Sequence, residues 1–148
     1  VSYVPLSDDE TRVIFTSEAR SNLAGLEGSE QQAILKKILS VLQSESPPSS
    51  FVREEIQNLD IIAIGSQIRL YSKVVERIPR GNAEFDILYI FYIDDDHDYE
   101  QRALATYSYE AQAKMESLTS LETVFDVQEY FEEMNALDEG DIRDLLDA

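Results

Sequence analysis

The sequence predicts an α+β domain: an N-terminal strand and two helices packed on an antiparallel sheet of about four strands, with a helical extension at the C-terminus. Three observations predict it. Ile34, Leu35, Ile38, Leu39, Val41 and Leu42 repeat at helical spacing and stop at the paired prolines of "SESPPSS". From residue 51 the period changes to that of strands, punctuated at Gly65-Ser66 and at "PRGNA". After residue 118 the chain becomes strongly acidic and again helical in its spacing.

The elements follow in order. "RVIF" is a short β-rich run that leads into "TSEARSNLAGL", where Ser17 is the expected helix N-cap. Ser29 and Gln32 have the spacing of a capping box, which sets the second helix at about residues 29–45. "FVREEIQNL" reads as a short helix or an irregular lead-in, and "LDIIAIGSQIRLYSKVVERI" as strands broken at Gly65-Ser66. "EFDILYIFYI" is a continuous apolar and aromatic run, which suits a central strand buried on both faces. "RALATYSY" reads as the last strand, with "EAQAKMESL" a helix after it. The expected division is 1–118 for the α+β domain and 119–148 for an acidic helical extension, in which Leu121, Phe125, Val127, Phe131, Met134 and Leu137 form an apolar face.

Composition narrows the chemistry. The 148 residues contain no cysteine, which excludes disulfides, thiolate nucleophiles and thiolate metal ligands. No apolar run approaches the roughly 20 residues that span a bilayer, and the first residues have no signal-peptide pattern; the expectation is a cytoplasmic protein without a membrane partner. There is no HExxH, no glycine-rich phosphate loop and no GxSxG, so no cofactor is expected. His97, the only histidine, lies in "DDDHDYE"; the tip lacks the glycine and terminal glutamate of an EF-hand loop, and no metal site is expected there.

Thirty acidic residues against twelve basic ones give a formal net charge of -18. Two readings stand. Acid spread over the whole chain, with only four lysines, suits a protein adapted to concentrated salt, where the Debye length falls to about 3 Å at 1 M. The other is an acidic mimic of nucleic acid that acts as an inhibitor.

Against this background "RLYSKVVERIPR" concentrates Arg69, Lys73, Arg77 and Arg80. On a strand Arg69, Tyr71, Lys73 and Arg77 share one face, because side chains alternate. Such a row can contact successive phosphates of an RNA strand, with Tyr71 stacked on a base. It can equally pair across the sheet with acids such as Glu84 or Asp86, or guard a sheet edge.

The stretch from Ile68 to Tyr109, in which an arginine-bearing strand is followed by an aromatic strand ending "YIDDD" and then by a last strand of small and apolar residues, resembles the second half of the RelE/ParE toxin superfamily. "VIFTSEARSNLAGL" is similar to the opening strand and first helix of that family. The resemblance covers about residues 11–110. It implies a toxin-like protein of a toxin-antitoxin system, either a ribosome-dependent mRNA endonuclease or a gyrase inhibitor that cleaves nothing, and a partner antitoxin. It implies Arg69, Lys73, Arg77 and Tyr107 (or Tyr109) as catalytic residues, by strand position, and Arg69, Tyr71, Lys73 and Arg80 as RNA contacts. Two departures weaken the catalytic version: ribosome-binding toxins are strongly basic, and this chain has no basic end after its expected last strand. The alternatives are a non-catalytic binding module, including a degenerate toxin-fold protein, and a chain whose own acidic helix at Phe125 to Leu137 covers the strip as an antitoxin would.

Overall fold

The computed structural model describes residues 10–44, 46–80, 83–95, 101–118, 121 and 124–147. Strand β1 (Glu10–Phe15) leads through helices α1 (Ser17–Ala24) and α2 (Gly28–Gln43) to a 3-10 turn at Pro48–Phe51. Four strands follow, β2 (Glu54–Ile56), β3 (Leu59–Ile64), β4 (Ile68–Arg80) and β5 (Ala83–Asp94), and then α3 (Gln101–Leu118), α4 (Val124–Glu133) and α5 (Glu139–Asp147). The class is mixed α+β, as expected.

The strands form one five-stranded sheet in the order β1-β5-β4-β3-β2, in which only β1 and β5 run parallel. β5 is an interior strand, and its continuous apolar run is explained by a core on each face. Phe85, Ile87, Tyr89 and Phe91 pack with Leu104, Tyr107, Ala111 and Leu118 of α3 and Val127 and Phe131 of α4. Leu88, Ile90 and Ile93 pack on the other face with Ala19 of α1, Ile34, Leu35 and Ile38 of α2, and Ile142 of α5. Helices therefore cover both faces of the sheet, not one.

Local chemistry sets the helix starts, with two differences from the sequence reading. Thr16, not Ser17, caps α1: its Oγ1 accepts from the Ala19 amide at 3.2 Å and donates to the Phe91 carbonyl at 3.0 Å, so the cap also fixes α1 to β5. α2 begins at Gly28 with Glu27 before it and no side-chain cap, leaving the Ser29/Gln32 box unused. "REEIQNLD" forms the β2-β3 hairpin, turning at Gln57 and Asn58 with φ of 48° and 68°; asparagine tolerates that left-handed region better than most residues.

The largest correction concerns "RALATYSY", which is the first half of α3 and not a strand. Leu104, Tyr107, Ala111 and Leu118 are its buried residues, spaced 3, 4 and 7 apart, which is the period of a helix lying on a sheet.

The C-terminal segment is built into both cores. Beyond α4 the chain reverses at Asn135, φ 53°, and crosses the outer edge of β1. There the Val13 amide donates to the Leu137 carbonyl at 2.9 Å, and the Leu137 amide donates to the Val13 carbonyl at 2.8 Å. This pairs the outward backbone groups of Val13 at the middle of an edge strand. α5 then lies against α2, with Ile142 fully buried and Gln43 donating to Glu139 Oε1 at 3.1 Å.

Candidate binding site

The first part of the β4 strip, Arg69 and Tyr71, is interior. Arg69 is 3% exposed and Tyr71 1% exposed, because the face they share is the one that α3 covers. Arg69 Nη1 donates to the carbonyls of Ile68 at 2.8 Å and Gly65 at 3.2 Å, which ties that end of the guanidinium to the β3-β4 turn. Its Nε is buried with no hydrogen-bond partner among the described residues. Asp94, also buried, sits directly opposite Arg69 on β5 and accepts from the Tyr71 hydroxyl at 3.1 Å. A bulge between Tyr71 and Ser72 lets one extra β5 residue, Phe91, into the pairing, and it turns Tyr92 toward the same face as Phe91.

Tyr107 arrives from α3, not from a strand, and completes a cluster of three tyrosines. Its ring stacks on Tyr92 at 5.2 Å and 16°, and meets Tyr71 edge-on at 6.2 Å and 67°. Its hydroxyl donates to Glu18 Oε1 at 2.5 Å. Burial and the Glu18 carboxylate together push the Tyr107 hydroxyl far above the usual tyrosine range, so it stays protonated at neutral pH.

The other predicted residues separate from these. Lys73 is partly exposed and its Nζ donates to Asn58 Oδ1 at 3.1 Å in the β2-β3 turn. Arg77 and Arg80 belong to β4 by their backbone, while their side chains and that of Glu84 lie outside the described residues, as does His97. The structure thus brings Arg69, Tyr71 and Tyr107 together, but as a packed interior cluster. The acidic helix expected to cover the strip lies elsewhere: α4 packs on the β1-β5 half of the sheet, where Phe131 meets Phe85 edge-on at 6.0 Å and the Tyr130 and Tyr89 hydroxyls are 2.6 Å apart. Burial, reinforced by that bond to Tyr130, pushes the Tyr89 hydroxyl far above the ordinary tyrosine range.

A cleft of about 640 Å³ lies at the N-terminal end of α1, walled by α3 and α4. Phe15, Ala113 and Met134 supply apolar surface, while Glu18, Glu110 and Glu133 alternate around it with Arg20 and Lys114. Partial burial and the nearby Glu18 carboxylate raise the pKa of Glu110 above the ordinary carboxylate range, and Lys114 opposes the shift. Sequence reasoning missed this cleft because its walls come from segments 15–20, 110–117 and 133–135. The one local signal was the i, i+4 pair Glu110 and Lys114, legible only once residues 101–118 are read as a helix.

Among the described residues no group of three histidine, aspartate or glutamate side chains is arranged to hold a metal ion, and no helix is long and apolar enough to cross a membrane. No known protein family, curated protein or solved structure matches the chain.

Proposed function

We propose that this chain is a non-catalytic binding module on a toxin-like α+β scaffold, contacting a protein partner through the cleft between α1, α3 and α4. The observation that carries this reading is the burial of Arg69 and Tyr71 beneath α3 and of Tyr107 on the inner face of that helix, with Arg69 and Tyr71 already hydrogen-bonded to main chain or to Asp94. Cleavage of RNA through its 2'-hydroxyl needs a proton acceptor, a cation at the phosphate and a donor to the leaving oxygen, all reachable by a nucleotide strand. A tyrosine and an arginine under a helix do not meet that requirement. Within the RelE/ParE resemblance, burial therefore favours a member that binds without cleaving over a ribosome-dependent endonuclease.

The cleft supports a polypeptide partner more than a nucleic acid. Its carboxylates Glu18, Glu110 and Glu133 repel phosphate, and its apolar patches fit the side chains of a basic, amphipathic segment such as an antitoxin-like helix would present. The same reading puts the protein in the cytoplasm and treats its acidity as adaptation to salt.

The test is expression of the intact chain in growing cells followed by mapping of mRNA ends and of DNA supercoiling. The expected result is no codon-positioned cleavage. Cleavage that disappears in Lys73→Ala, which keeps the buried cluster intact, would restore the endonuclease. Growth arrest with altered supercoiling and intact mRNA would identify gyrase as the partner.

A further inference from the structure

The outer face of α3 differs from the other solvent-facing C-terminal helices. α4 carries Asp126, Glu129, Glu132 and Glu133 with no base, and α5 carries Glu139, Asp141, Asp144 and Asp147 against Arg143. α3, in a chain of net charge -18, holds two acids and two bases, Glu110, Glu116, Arg102 and Lys114. Directly opposite its buried stripe stands Tyr109, 77% exposed, the most exposed large apolar side chain among the described residues. Ala105, Thr106, Gln112 and Ala113 around it are all exposed and uncharged.

About Tyr109 this face has alanines at equal distances on both sides and, further out, residues of opposite charge. Four residues away on either side are Ala105 and Ala113, and seven residues away are Arg102 and Glu116. Positions 4 and 7 apart lie on one helical face, about 6 and 10.5 Å along the axis at 1.5 Å per residue. Two copies of α3 laid antiparallel about a two-fold axis through Tyr109 therefore set Ala105 against the partner's Ala113, and position 102 against the partner's Glu116, twice over.

We infer that α3 is a self-association surface, and that its occupant is a second copy of this chain packed antiparallel across Tyr109. A two-fold contact requires a self-complementary patch, and this face is complementary to itself in size and in charge. The alanines let the helices approach, and the two Tyr109 rings fill the centre of the contact. A strongly cationic partner would be drawn instead to α4 and α5, where acid is concentrated. With a charge of -18 on each copy, long-range repulsion opposes the contact at low ionic strength and is screened at high ionic strength. The dimer is thus strengthened by salt, the reverse of an interface held by ion pairs alone.

Sedimentation equilibrium of the full chain, at low and at molar KCl, tests the inference. The expected result is a monomer-dimer equilibrium that shifts toward dimer as KCl rises, weakened about 10-fold or more by Tyr109→Glu. Glu116→Arg should weaken it, by facing like charges, and Arg102→Glu added to it should restore association. Circular dichroism melting of each variant confirms that the fold is intact. A wild-type chain that stays monomeric in molar KCl at about 1 mM protein overturns the inference. A dimer indifferent to Tyr109→Glu, or a double swap that fails to restore association, overturns it as well.

Discussion

The Tyr107 hydroxyl donates to Glu18 Oε1 at 2.5 Å, joining α3 to the first turn of α1 across the end of the sheet. This bond sits at the rim of the cleft and ties together two elements 89 residues apart in sequence. Tyr107→Phe removes the bond and keeps the stacked ring. A hydrogen bond to a charged acceptor contributes about 1.5 to 3 kcal/mol, and the exposure of Glu18 places this one at the lower end. The expected loss in urea unfolding is about 1.5 kcal/mol, and an unchanged midpoint would mean that the bond contributes nothing in solution.

Glu110 titrates with the opposite consequence to most surface carboxylates. Its folded pKa is raised above the reference value of 4.5, so the folded chain holds the proton more tightly than the unfolded one. The stability that follows is fully present below 4.5 and is lost as pH rises through the folded pKa. Glu110→Gln should therefore gain stability relative to wild type as pH rises through that window, and show no gain below it. Unfolding midpoints of the two chains from pH 4 upward, at steps of about half a unit, give the measurement.

The strip residues should divide by stability. Arg69→Ala removes one buried and one partly buried hydrogen bond and leaves a void, at an expected cost of about 2 to 4 kcal/mol. Lys73→Ala, partly exposed, should cost about 0.5 kcal/mol or less. Equal and small effects from both would indicate an open strip, contrary to the burial.

Residues beyond 118 should behave as part of the domain. Ile142→Ala empties a fully buried site against α2 and should cost about 2 to 4 kcal/mol. Truncation after Leu118 should leave a chain that aggregates or melts without a cooperative transition, because it also removes Val127 and Phe131 from the opposite face. A soluble truncated chain with a sharp melting transition would show the segment to be dispensable.

Salt should stabilise the monomer too. Raising KCl from about 0.1 M to 1 M shortens the Debye length from about 10 Å to 3 Å, and so weakens the self-repulsion of a chain of net charge -18. The melting temperature is expected to rise over that range, and a flat or falling curve would remove the basis for reading the acidity as salt adaptation.

The local pattern of the sequence determined a good deal by itself. Apolar residues at helical spacing before Pro47 and Pro48 marked α2, the strand to helix passage at Phe15 to Ser17 marked β1 and α1, and the uninterrupted "ILYIFYI" marked an interior strand. These are decided by neighbours within one or two turns, where period and turn chemistry act directly. Tertiary structure alone decided the rest. The strip alternates as a strand as far as Val75, where its pairing with β5 shifts register before Ile78, and whether Arg69 and Tyr71 meet water depends on α3, a helix whose opening residues also alternate as a strand would. The Leu137 bridge to Val13, the cleft built from three separate segments, and the burial of Arg69 and Tyr71 all arise from contacts between residues distant in sequence. Charge and spacing fix which side chains line up along an element, and only the packing of one element on another fixes which of those rows remain available to bind.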